Sequence, residues 1–122
     1  MIQVDTGTPE NVIVATASGR VTAEDYEHTL MPAVDRATSG GEKARFLYIL
    51  GSDFEGYESA AAGDDAKLGM HHWADFQRIA VVTDHETYRV FTRVFGFVMP
   101  GKVKTFTVAE TDKAREWIVA DD

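Results

Sequence analysis

Asp84, His85 and Glu86 stand together where a predicted strand ends, and Asp53 and Glu55 follow the end of an earlier one. Carboxylates beside an imidazole are the groups of general acid–base chemistry, and the C-terminal edge of the sheet is where α/β folds receive ligands. The same residues have a simpler use, with Asp84 capping a helix and Glu86 meeting its dipole. Capping is the preferred reading. A small acid–base enzyme using Asp53, Asp84 and His85 is the alternative. There is no GxSxG elbow and no GxGxxG or GxxxxGK phosphate loop, so no catalytic residue is assigned and an enzyme is not expected.

The remaining reactive groups are histidines. His71 and His72 are neighbours on a predicted helix, where adjacent side chains point about 100° apart and do not share one ion. His28 and His85 belong to other elements. No metal or cofactor is expected. The chain has no cysteine, which removes disulfides, thiolate nucleophiles and thiolate zinc sites.

Twelve basic against twenty acidic residues give a net charge of −8, which repels phosphate backbones, so nucleic acid is not an expected partner. Arg89, Arg93, Lys102 and Lys104 are the one basic cluster, read as a solvated face. Among 122 residues, 44% are hydrophobic, enough for one domain with a real core. No apolar run approaches the length of a membrane span, and the N-terminus lacks a basic segment followed by an apolar one. The expected location is the cytoplasm.

These groups need a scaffold, and its clearest piece is the run FQRIAVVTD at 76–84. Ile79 to Val82 are apolar without alternation, as in a strand covered on both faces. Ile2–Val4 and Val12–Ala17 read as a short antiparallel pair, since their loop is too short for a crossover. Thr22, with Glu24 and Asp25, opens a helix whose Tyr26, Leu30, Val34 and Ala37 face the sheet, and Pro32 predicts a kink in it. Arg45–Leu50 is a strand ended by Gly51, Ser52 and Asp53, with FEGY at 54–57 as a loop. Residues 60–73 pattern as a helix. Glu86–Phe95 is another, with Val90, Phe91 and Val94 inward; Val103–Val108 and Thr111–Val119 are the last strand and helix. The fold class is α/β, with a five-stranded mixed sheet and four helices. Val14, Leu47, Ile49, Ile79, Val81 and Phe106 are its expected core.

The stretch Phe95–Met99, FGFVM, is apolar at all but one position and lies in a predicted connection, where chains usually run over the surface. It either folds under the sheet or meets a partner, a lipophilic ligand or a second subunit. Phe95, Phe97, Val98 and Met99, with Trp73, are the ligand or interface candidates. Val90, Phe91, Val94, Phe95, Phe97, Val98 and Met99 exceed what one helix face and a short turn bury against a sheet, which predicts a homodimer.

GRVTAEDYEHTLMPAV at 19–34, FEGY at 54–57, and the block from HHWADFQRIAVVTD to FGFVMPG resemble the SpoIIAA-like family. That family sits in the superfamily of the STAS domains and the Sec14-like CRAL-TRIO lipid-binding domains. The resemblance covers nearly the whole chain. It implies a superhelix of βα turns, a bacterial origin, and a non-catalytic binding or regulatory module, acting through protein contacts or a lipophilic ligand. Regulatory members of the superfamily carry a D-S-S-G-type sequence whose second serine is phosphorylated. The equivalent here is Glu58, Ser59, Ala60, Ala61, with alanine where that hydroxyl belongs. Ser59 is a phosphorylation candidate only in a register shifted by one, and otherwise a helix cap.

Overall fold

The computed structural model describes residues 1–58, 63 and 74–120, with the backbone alone for Phe91, Phe95 and Val98. Five strands, β1 Ile2–Val4, β2 Val12–Val21, β3 Ala44–Tyr57, β4 Phe76–Val82 and β5 Lys102–Phe106, form one sheet in chain order. β1 runs antiparallel to β2, and every later neighbour is parallel. Parallel neighbours need right-handed crossovers, and crossovers that advance one strand at a time keep their helices on one face. The other face is left to a helix that follows the last strand.

The helices obey this. The first begins behind Thr22 as a π-helical segment, Asp25–Leu30, and continues as α1, Met31–Thr38. α2 is Glu86–Val98 and α3 is Thr111–Val119. Among the described residues there are thus three α-helices rather than four; the helix expected over residues 60–73 lies outside them. Ile13, Ala15, Phe46, Tyr48 and Leu50 pack with Tyr26, Leu30 and Val34 on the crossover face. Val12, Val14, Leu47, Ile49, Ala80 and Val82 pack with Ala114 and Ile118 of α3 on the other.

Val14, Leu47 and Ile49 are buried as expected, whereas Ile79, Val81 and Phe106 are only half-buried. The cause lies in β4, whose burial alternates. Arg78, Ala80 and Val82 are buried, and Ile79 and Val81 turn to the crossover face, where they pack at the margin of the core. A register shift between Ala44 and Arg45 of β3 lets Phe76 join that face too, against Phe46 at 6.1 Å between ring centroids.

Other differences are local. β3 does not stop at Gly51 but runs through FEGY, pairing Phe54, Gly56 and Tyr57 with Gly19, Arg20 and Val21 of a lengthened β2. Two register shifts in β2 accompany this, and Gly19 (φ 58°) and Gly56 (φ 115°) adopt the backbone that such shifts need. Pro32 falls in the first turn of α1, where its missing N–H is tolerated, and the Met31 N–H bonds to the Tyr26 carbonyl five residues back. The expected kink is a change of helix type, and Tyr26, Leu30, Val34 and Ala37 stay buried through it. α2 passes through Gly96 and ends before Pro100 and Gly101. β5 ends at Phe106, and Val108 belongs to a single 3-10 turn leading into α3.

Thr22 and Asp25 cap the first helix reciprocally, Thr22 N–H to Asp25 Oδ2 at 2.9 Å and Asp25 N–H to Thr22 Oγ1 at 3.3 Å. Burial acts to raise the Asp25 carboxyl, but the Thr22 backbone and hydroxyl bonds and the N-terminal ammonium outweigh it and hold the group below its ordinary value. A depressed carboxylate contributes stability above its unfolded pKa of about 4, and that contribution disappears as pH falls through the folded value. Replacing Asp25 by Asn is therefore expected to cost about 1 kcal/mol at neutral pH. Urea titrations should show the gap from wild type closing below pH 4.

Two arginines hold the far end of α3. Arg78, 4% exposed, donates to the Trp117 carbonyl at 2.6 Å with its guanidinium 5.0 Å from the Trp117 ring centre. Arg45 donates to the carbonyls of Ile118 and Ala120 at 3.0 and 2.6 Å and to Gln77 Oε1 at 3.1 Å. Carbonyls of a last helical turn have no partner within the helix and carry the negative end of its dipole, so a buried cation is stabilised there. Arg78→Ala is expected to lower stability by about 3 kcal/mol in urea unfolding. Arg78→Lys, which keeps the charge but not the planar fork, should recover only part of it.

Candidate functional site

The polar candidates at the strand ends have different neighbours. Asp84 Oδ1 accepts from the Val108 N–H at 2.9 Å, so it caps the turn after β5 rather than its own following helix. The His85 N–H donates to Thr83 Oγ1 at 3.1 Å, and the His85 ring lies 4.5 Å from that of Tyr88. Asp53 instead lines an open groove on the β2 side with Ser18, Gly19 and Glu55. Asp84 is thus drawn toward β5 and Asp53 toward β2, in opposite directions from the β3–β4 pair. Among the described residues no group of three His, Asp or Glu could hold a metal ion. His71, His72, Trp73 and Ser59 lie outside the described residues.

Beside His85 the structure assembles a cluster that reading FEGY as a loop had missed. The Tyr48 hydroxyl lies 3.2 Å from that of Tyr26 and accepts from that of Tyr57 at 3.3 Å. Phe54, Tyr57 and Tyr88 meet edge to face, with centroids 5.2 to 5.7 Å apart. Edge-to-face rings are the favoured geometry of aromatic pairs, and buried hydroxyls need partners of this kind. The cluster ties the β3 extension to the first helix and to α2. The signal in the sequence was the aromatic spacing of Phe54 and Tyr57, legible only once β3 is known to continue.

α2 presents the opposite situation. Tyr88, Thr92 and Gly96, each four residues on from the last, are partly buried, and Thr92 Oγ1 donates to the Tyr88 carbonyl at 2.7 Å. A Cβ on Gly96 would meet the Val103 Cβ at 3.1 Å, so the helix lies against β5 through a residue with no side chain. Val90 and Val94, expected inward, therefore point out, 46% and 59% exposed, and Phe97 is 90% exposed. The three are spaced by four and three residues and form one stripe. Met99 turns the other way and is buried in the crossover-face core at 6%. Of the apolar candidates, then, Phe97 is a surface residue and Met99 a core residue; the side chains of Phe95 and Val98 lie outside the description. No helix among the described residues is long and apolar enough to cross a membrane.

Comparison with known proteins agrees with this architecture. A solved structure of an uncharacterized protein of the DUF3478 family with a SpoIIAA-like fold, from Shewanella loihica PV-4, is similar with a TM-score of 0.75 and 28% identity. The similarity covers 97% of this chain and 92% of that one. No match is found among proteins of curated function. The SpoIIAA-like family model matches residues 12–119. The chain is a member of the SpoIIAA-like family.

Proposed function

We propose that this protein is a non-catalytic binding module whose contact surface is the outer face of α2, and that its first partner is a second copy of itself. The observation that carries the proposal is Phe97, 90% exposed and in line with Val94 and Val90. Single exposed apolar residues are ordinary, but an aromatic and two valines on one helix stripe form a patch of the kind that marks recognition surfaces. Aromatic side chains contribute most where they are buried at the centre of an interface. A two-fold contact would bury this stripe against its own copy and close. The charge of −8 opposes association only weakly, because long-range repulsion is screened beyond roughly 8 Å at physiological salt. A lipophilic small ligand is the other apolar occupant to distinguish, and native mass spectrometry of freshly purified protein would reveal it as added mass.

Light scattering at micromolar concentration is expected to give a dimer mass. Phe97→Asp should give a monomer whose unfolding midpoint is nearly that of an isolated wild-type subunit, within about 0.5 kcal/mol, because so exposed a side chain contributes little to the fold. A wild-type monomer mass at tens of micromolar would remove self-association. A Phe97→Asp protein that remains dimeric would move the contact elsewhere.

A further inference from the structure

The two edges of the sheet are built differently. β5 carries Lys102 and Lys104, both exposed, the usual protection of an edge against pairing with another chain. β1 reads Ile-Gln-Val and has neither lysine, proline nor bulge. Its ladder to β2 uses alternate residues. Met1 and Ser18 exchange bonds at 2.7 and 2.8 Å, Asp5 N–H reaches the Val14 carbonyl at 2.8 Å, and Gln3 stands opposite Thr16 between them. In an antiparallel pair the residues between these point their N–H and C=O away from the partner. For Ile2 and Val4 that direction is outward, where β1 has no neighbouring strand among the described residues. Their side chains meanwhile pack into the core, Ile2 at 4% exposure, so the edge is firmly held.

Beside this edge runs an open groove of about 730 Å³, with residues 2–6 as one wall and His28, Thr29, Pro32 and Arg36 as the other. His28, Pro32 and Arg36 recur every fourth residue, with Pro32 and Arg36 about 6 Å apart along α1 and His28 one such step earlier in the π-helical segment, and alternate side chains of a strand recur about 6.7 Å apart. The two repeats match over this short length. An added strand would bring successive same-side residues level with His28, Pro32 and Arg36. In a chain of net charge −8 this groove has two basic groups, and its one acid, Asp5, faces Arg115 at 3.3 Å.

We propose that β1 and the helix over residues 28–36 form a docking groove for an extended peptide segment of a partner, added as a sixth strand. The segment carries acidic residues two places either side of an apolar one. Main-chain bonds to Ile2 and Val4 supply the pairing, and His28 and Arg36 select carboxylates. A second copy of this chain pairing edge to edge would set His28 and Arg36 near their own equivalents, so charge favours the acidic peptide over the copy. The groove is separate from the α2 face and stands or falls independently of it.

The test is selection of a random nonapeptide display library on the immobilised full chain, followed by anisotropy with the enriched peptide. Sequences with the acid–x–apolar–x–acid pattern are expected to be enriched. Arg36→Glu, at an exposed position, should weaken the labelled peptide at least about tenfold. Val4→Pro removes an outward N–H without taking a bond from the β1–β2 ladder and should do the same, while amide exchange at Ile2 and Val4 slows in the wild-type complex. Failure to enrich an acidic pattern, or binding unchanged in both variants, would overturn the proposal. So would a wild-type dimer that Val4→Pro alone converts to monomer, since the edge would then be taken by a second copy.

Discussion

The contact between Gly96 and Val103 decides what the rest of the molecule can present. With no Cβ at Gly96, α2 approaches β5 closely, and that approach fixes the rotation of the helix about its axis. A second glycine secures the turn that follows. A Cβ on Gly101 would lie 2.6 Å from the Phe76 carbonyl oxygen and 2.8 Å from Met99 Cε, so chain and core meet there without room for a side chain. Once the rotation is set, Tyr88 and Thr92 are inside, Met99 is drawn under the sheet, and Val90, Val94 and Phe97 have only the outer side left.

That rotation is also where reading the sequence fell short, and the reason is physical. The apolar residues of α2 do fall in one arc, but that arc spans about half the helix, from Phe97 and Val90 at one margin to Tyr88 at the other, so the pattern alone does not say which margin is buried. Among the described side chains, the residues turned toward the sheet are a tyrosine, a threonine and a glycine, types that hydrophobicity alone passes over. By contrast Tyr26, Leu30, Val34 and Ala37 were legible because one spacing and one apolar face coincide, and they remained buried even across the π-to-α change at Pro32. The parallel sheet and its antiparallel first strand were legible from loop lengths. The extension of β3 was not, because the shifts opposite Gly19 and Gly56 interrupt the alternation that announces a strand. The aromatic cluster of Phe54, Tyr57 and Tyr88 was lost with it.

Buried charge follows a similar logic. Arg78, the one charge inside the run 76–82, is buried at 4% exposure, and the Trp117 carbonyl and ring of α3 give its charge a partner. Lys104 lies over the same ring from β5, at 5.4 Å. The face covered by α3 is therefore closed by cations and carbonyls. The crossover face is closed by aromatic rings, and among the described residues three of the five exposed large apolar side chains, Val90, Val94 and Phe97, lie on the outside of α2, with Met1 and Val119 elsewhere. Asp84 contributes to this closure by capping the turn into α3, which accounts for an acid at a strand end without assigning it chemistry.

Because the chain contains no cysteine, one introduced thiol reports a single position without ambiguity. The most direct measurement is the maleimide labelling rate of Val94→Cys as protein concentration is raised from nanomolar to tens of micromolar, with Thr92→Cys as an inward reference. The account predicts that in dilute solution Val94→Cys reacts about tenfold faster than Thr92→Cys, as expected of an exposed thiol, and that its rate falls as the α2 face becomes covered. Equal rates at the two positions in dilute protein would contradict the assigned rotation of α2, and a Val94→Cys rate independent of concentration would contradict self-association through that face.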